Sequence, residues 1–163
     1  LKALKEEFKT STEEVKVTFV GKISDSFREF VLSDSWLSQR VDFPGYVSHS
    51  AVFDFYAKAD ALLLILTDTK NAQGNIPGKL FEYLATGIPV LAIGDPRGDS
   101  ALILEKSGAG EVIRHDDFVM IQVALRKLMD EKSKTATFKP IEQYSRRSLT
   151  FDLAKILDEH TLS

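Results

Sequence analysis

The stretch "NIPGKLFEYLATGIPVLAIGD", Asn75 to Asp95, sets the frame for the rest of the chain. Pro77 suits a first helical position, because its missing N–H costs nothing there, and Gly87 suits the residue that stops the helix. The spacing therefore predicts a helix over Pro77–Thr86, with Phe81 and Leu84 on its apolar side. PVLAI follows at once as a short apolar run, the pattern of a buried strand. Helix, glycine, proline, strand is the returning half of a strand–helix–strand unit. The unusual feature is polar: Lys79 and Glu82 stand near the start of that helix.

The same alternation extends in both directions. Upstream lies ALLLIL (Ala61–Leu66), whose lack of alternation predicts a central parallel strand buried on both faces. Before it come VKVTFV (Val15–Val20) as a strand and a helical stripe over Ser26–Trp36 marked by Phe27, Phe30, Val31 and Leu37. VDFPGY is a short extended piece ending in a turn, and Ala51–Lys58 is a helix with Val52, Phe55 and Tyr56 on its apolar side. Downstream, Asp99–Ser107 is a helix ending at Gly108, EVI a short strand, and Asp117–Glu131 an amphipathic helix. After the polar stretch Lys132–Lys139, Ile141–His160 is a helix with Leu149, Leu153, Ile156 and Leu157 on one stripe. At the N-terminus Leu1, Leu4 and Phe8 share a helical face. Strand–helix alternation of this kind predicts an α/β fold, an open parallel sheet with helices on both faces.

Composition bounds the function. The 163 residues support one sizeable core, with 44% apolar and 28% charged residues. A net charge of −3 gives no general pull toward nucleic acid. The absence of cysteine excludes disulfide scaffolds, thiolate metal sites and cysteine nucleophiles. The longest apolar run is far below the ~20 residues of a membrane span, and LKALKEEFK is too charged for a signal peptide. The three histidines, His49, His115 and His160, are too scattered for a metal site. No GxGxxG, P-loop or nucleophile elbow occurs.

Ligands of open α/β sheets bind beyond the carboxyl ends of the strands. Four loops belong there: Gly21–Ser24, Gly45–Ser48, Thr67–Gly78 and Gly94–Ser100. The third leads into the Pro77 helix, whose first amides and dipole suit a phosphate. Lys79 opposes that dipole unless an anion is present, and taken alone it reads as a solvated surface lysine. Glu82 can pair with Lys79 at i, i+3, or its carboxylate can accept hydrogen bonds from the vicinal hydroxyls of a ribose. His49 reads as an exposed loop residue or one lining a cleft. Asp116–Asp117 reads as a helix N-cap, and Arg146–Arg147 as solvated. Asp95, Arg97 and Asp99 are either site residues or caps for the next helix.

Several pieces, in order, resemble the donor-binding C-terminal half of a retaining glycosyltransferase of the glycosyltransferase-B fold, family 4 type. VTFVGK is similar to the family's strand ending in glycine. "VDFPGYVSHSAVFDFYAKADALLLI" resembles its V-x-F-x-G-x-V segment, helix and Y-x-x-A-D strand entry. "PGKLFEYLATGIPVLA" resembles its helix–Gly–x–Pro–Val signature, and "YSRRSLTFDLAKIL" its closing helix. The Pro77–Ala92 segment is the specific part. The resemblance implies a Rossmann-like fold, with Pro77 in the substrate-binding helix start, diphosphate on the backbone of Gly78, Lys79 and Leu80, and ribose on Glu82. It implies Gly45, Tyr46 and Val47 around the base, and Gly21 and Lys22 near the phosphates or sugar. The family often has a glutamate eight positions before the ribose-binding one. Here Gly74 stands there, so the group addressing the sugar is missing or is replaced by Asn75 or backbone.

The resemblance further implies an enzyme that uses a nucleoside diphosphate sugar of UDP or GDP type, with no cofactor and no metal. It implies bacterial surface polysaccharide or glycolipid synthesis in the cytoplasm, at the inner face of the membrane through peripheral association. Residues 1–163 are expected to be a single donor-binding domain lacking its first strand and the N-terminal acceptor domain, and to be inactive alone. Two alternatives stay open: half of a nucleotide-sugar epimerase, or a non-catalytic interaction domain, which Gly74 motivates.

Overall fold

The computed structural model describes residues 1–11, 14–67, 72–130 and 142–161. Its strands are β1 (Val17–Val20), β2 (Val41–Gly45), β3 (Leu62–Ile65), β4 (Val90–Ile93) and β5 (Gly110–Ile113). Its helices are α1 (Lys2–Phe8), α2 (Asp25–Ser33), α3 (His49–Tyr56), α4 (Gly78–Thr86), α5 (Asp99–Ser107), α6 (Phe118–Asp130) and α7 (Arg146–Thr161). Every strand pairing is parallel, as the alternation requires. The chain divides into two compact units, Leu1–Asp60 with His115–Lys134, and Ala61–Arg114 with Thr135–Ser163.

The first unit carries a two-stranded sheet, β1–β2. The register slips between Thr18 and Val20, where β2 holds an extra residue. Pro44 lies in that interval and has no N–H for the ladder, so a bulge is the economical way to keep it in a strand. The core gathers Val31, Leu37 and Val41, with Phe19, Phe27 and Phe43 packed against it. The Phe19 and Phe43 rings stack at 5.9 Å, and Phe27 meets Phe19 edge-on at 5.3 Å. The α2 helix stops at Ser33, earlier than its apolar stripe predicts. The Asp34 carboxylate accepts from the Trp36 and Leu37 amides, at 3.0 and 3.1 Å, and draws the chain into a turn. Asp34 also takes the Lys5 ammonium of α1 at 2.5 Å. That hydrogen bond first, and the Leu37 amide second, hold its carboxyl below the usual range.

The α1 helix buries Ala3, Leu4 and Phe8, while Leu1 sits at its N-cap rather than inside it. Beside it, the guanidinium of Arg126 on α6 holds the Glu7 carboxylate, with Nε at 2.7 Å. The helix predicted over Ala51–Lys58 begins earlier, at His49, because the Ser48 hydroxyl caps it on the Ala51 amide. His49 is thus helical, with its ring edge-on to Phe53 at 5.4 Å. Asp117 supplies the cap of α6, accepting from Met120 at 3.0 Å.

The second unit holds the order β3–β4–β5. β4 is central, and Val90, Leu91 and Ala92 are buried. β3 departs from expectation. It alternates, with Leu62 and Leu64 buried and Leu63 and Ile65 39% and 65% exposed. An edge strand covered on one face keeps only alternate side chains dry, whatever its composition. Helices α4 and α5 end as read, at Gly87 and Gly108, each with φ of 72° in the left-handed region. The predicted helix over Ile141–His160 is shorter. A 3-10 turn at Glu142–Tyr144 precedes α7, and the Ser145 hydroxyl, accepting from the Ser148 amide, starts the helix anew. Leu149, Leu153, Ile156 and Leu157 are each more than half exposed. Lys132–Lys139 and Ile141 lie outside the described residues.

Candidate functional site

Both strands of the first unit end on the same device. After β1 comes Gly21-Lys-Ile-Ser24, and after β2 comes Gly45-Tyr-Val-Ser48. Each glycine has positive φ, 120° at Gly21 and 81° at Gly45, which turns the chain off the sheet. Each serine then caps the next helix through its hydroxyl, Ser24 on Phe27 and Ser48 on Ala51, both at 3.3 Å. The repeated Gly-x-x-Ser spacing was a readable signal for both caps, and apolar periodicity passes over it. The Gly21 amide donates to the Gly45 carbonyl at 2.9 Å, so two of the expected residues meet directly. Lys22 is exposed, Val47 half-buried, and Tyr46 88% exposed.

In the second unit the loop after β3 closes on itself and on the loop after β4. Asn75 Nδ2 donates to Thr67 Oγ1 at 3.0 Å, across the base of the loop. Ser100 Oγ, from the first turn of α5, donates to the Asn75 carbonyl at 2.9 Å. Gln73, in a 3-10 turn over Ala72–Gly74, donates from Nε2 to Asp95 at 3.3 Å. A Cβ on Gly98 would stand 3.2 Å from the Gln73 carbonyl oxygen, so the two loops run in close touch. Gly74 differs. A Cβ there would meet nothing within 4 Å, and its φ is not left-handed. Nothing around that position demands glycine, and a longer side chain would point into open space.

Pro77 is the N-cap of α4 rather than its first helical residue, with ψ of 138°. Its ring fixes φ, its extended ψ turns the chain into the helix, and its carbonyl takes the Leu80 amide at 2.9 Å. Leu80's N–H is therefore used inside the first turn. The N–H groups of Gly78 and Lys79 have no acceptor among the described residues. The Lys79 side chain is exposed. Leu80, fully buried, anchors this turn to the core. Glu82 is half-buried and engaged within the fold. Beside it, burial first and the Glu82 charge second raise the Tyr83 hydroxyl above its usual pKa. Phe81 packs on Tyr144 at 5.5 Å.

The charged residues after β4 do not cap the next helix. Asp95 receives Arg97 through Nε at 3.0 Å, Nη2 at 2.9 Å and the main-chain amide at 3.0 Å. The Arg97 guanidinium, in this two-pronged arrangement, holds the Asp95 carboxyl well below the usual carboxylate range. Gly98, not an acid, is the N-cap of α5, and Asp99 sits in its first turn, where a negative charge suits the dipole. Arg146 and Arg147 are exposed at the start of α7. Ser100, Gln73 and Thr67 lie in loops expected at the strand ends, but the sequence assigns no role to their side chains. A serine on an apolar helix face gives no sign of a partner 25 residues away. Among the described residues no group of His, Asp or Glu has the arrangement of a metal site.

Parallel strands, helices between them and glycine-marked strand ends define an α/β protein of the Rossmann-like kind. The model of the family "Glycosyl transferases group 1" matches residues 1–131, and the chain belongs to that family. A search of curated protein sequences found no match. Among solved structures, the chain resembles a lipopolysaccharide outer core galactosyltransferase, WaaB, in its apo form. The TM-score is 0.66 at 19% identity, over 98% of this chain and 44% of that one. It also resembles Anabaena HepE, solved with UDP, with TM-score 0.57, 18% identity, and 83% and 37% coverage. A third is a sucrose-phosphate synthase from Thermosynechococcus elongatus, with TM-score 0.56, 17% identity, and 83% and 34% coverage. These likenesses establish the glycosyltransferase-B type of fold. The chain spans less than half the length of each of the three.

Proposed function

We propose that this chain supplies the donor-nucleotide side of a retaining sugar transfer from a nucleoside diphosphate sugar. The observation that carries this reading is the start of α4. Two amides with no acceptor among the described residues, Gly78 and Lys79, stand there with an exposed lysine, one turn ahead of the half-buried Glu82. Amides and a helix dipole stabilise an anion without reorganising as charge develops. The diphosphate is that anion. As the acceptor oxygen replaces it at the anomeric carbon, the negative charge grows on the departing phosphate, where these donors point. Lys79 adds a positive charge that is costly at a helix start unless an anion is present. Glu82 takes the ribose hydroxyls. The assignment of Gly21, Lys22, Gly45, Tyr46 and Val47 to phosphate, sugar and base rests on the family pattern.

Finer features follow the family and its neighbours. The neighbour solved with UDP favours a uridine donor. The neighbour described as a lipopolysaccharide galactosyltransferase favours a hexose and an envelope glycolipid or polysaccharide acceptor. No helix among the described residues is long and apolar enough to cross a membrane. Work at the cytoplasmic face would then be by peripheral association. The acceptor side belongs to the part of such enzymes beyond this chain's span.

The ribose assignment has a direct test. Glu82→Ala weakens UDP binding by about 2 kcal/mol, roughly thirtyfold, the scale of a hydrogen bond to a charged group. It leaves 2′,3′-dideoxy-UDP unaffected in calorimetry, since that ligand lacks the hydroxyls. An equal loss for both nucleotides removes Glu82 from the ribose.

A further inference from the structure

We propose that Ser100 is a positioning residue, which with the Gln73–Asp95 hydrogen bond latches the segment entering α4 in the path that presents the Gly78 and Lys79 amides. Its buried hydroxyl is the starting point. Ser100 is only 2% exposed, and a buried hydroxyl is costly unless bonded. It sits in the first turn of α5, where a serine ordinarily serves its own helix. Here the bond leaves the helix and goes to the Asn75 carbonyl. Ser107, the other buried serine among the described residues, shows the ordinary case: it donates to Leu104 and accepts from Ala109, both local.

Asn75 is held from two sides, its carbonyl by Ser100 and its side chain by Thr67. Only Ile76 and Pro77 separate it from Gly78. Pro77 has its φ locked by the ring, and Ile76 is restricted because a proline follows it. Fixing the Asn75 peptide therefore fixes the direction in which α4 begins. Gln73 on Asp95 is the second point, two residues upstream, and Arg97 holds Asp95 still. The bond from Asn75 to Thr67 closes the loop but ties it only to its own base. The two bonds to the loop after β4 and to α5 set its position against the core.

The latch rests on geometry, and its consequence for ligand rests on the donor reading above. The test uses the full chain with Ser100→Ala, Ser100→Thr, Gln73→Ala and, as control, Ser107→Ala. Two readouts are taken: amide exchange at Leu80, whose N–H is held by Pro77, relative to Ala92 in β4, and the Kd for UDP. Ser100→Ala accelerates Leu80 exchange about tenfold over Ala92 and raises Kd about tenfold, since small misplacements of binding groups are costly. Ser100→Thr, which keeps the hydroxyl, restores both values. Ser107→Ala moves neither beyond its effect on global stability. Gln73 is exposed, so Gln73→Ala folds normally and shows the same changes at about threefold. Unchanged Leu80 exchange in both Ser100→Ala and Gln73→Ala overturns the latch. So does accelerated exchange with an unaltered Kd. If wild-type protein binds no UDP, GDP or ADP while exchange still accelerates, the latch stands and the donor reading fails.

Discussion

Gly110→Ala lowers stability by about 3 kcal/mol or more, the upper end of what overpacking costs. The Cβ it introduces would lie 1.8 Å from the Val90 carbonyl oxygen and 2.8 Å from the Val90 carbonyl carbon. Both atoms are backbone, in the central strand of the second unit's sheet, where Val90 pairs with Gly110. Val90 also donates to Ala109 at 2.8 Å, so the oxygen cannot retreat without opening the β4–β5 ladder. A flexible side chain would give way; a buried peptide between two strands does not. Urea unfolding followed by circular dichroism checks this. A midpoint shift equivalent to less than about 1 kcal/mol would show that β5 slides freely. Gly74 is the contrast, since a Cβ there meets nothing within 4 Å. Gly74→Ala stays within about 0.5 kcal/mol of wild type.

Leu80→Ala costs about 3 kcal/mol, within the range for deleting a buried leucine and leaving a cavity. Leu80 is fully buried and stands in the first turn of α4, two residues past Gly78. It is the side chain that fastens to the core the turn carrying the Gly78 and Lys79 amides. Its loss therefore lowers the denaturation midpoint and loosens the helix start together. Lys79→Ala, one residue away and exposed, leaves stability within about 0.5 kcal/mol. The same urea measurement checks both. A Leu80→Ala variant as stable as Lys79→Ala would mean that the first turn is held by its backbone alone.

What the sequence made legible follows from local chemistry. Helices α4 and α5 end at Gly87 and Gly108 because left-handed φ is cheapest for glycine, and that preference is visible in the letters. The parallel sheet was legible from strand–helix alternation. β3 was not, because the leucines of ALLLIL record apolarity but not neighbours. Only one face of β3 is covered, and that leaves Leu63 and Ile65 open. The end of α2 was hidden for a related reason. Phe27, Phe30, Val31 and Leu37 continue a helical spacing that Asp34 interrupts through its side chain. Of the candidate site, Pro77, Gly78, Lys79 and Glu82 stood out because helix starts have a recognisable chemistry. The residues that hold the preceding loop, Ser100, Gln73 and Asp95, act across the fold. Such partners leave no periodic trace in the chain.

The most direct test of the account is calorimetric titration of the protein with UDP, GDP and ADP, each set beside its parent nucleoside. The account predicts saturable binding of one diphosphate, with its nucleoside at least about tenfold weaker, because the α4 amides and Lys79 act on the phosphates. Equal affinity for a diphosphate and its nucleoside, or no binding of any of the three, would contradict a diphosphate site at the start of α4.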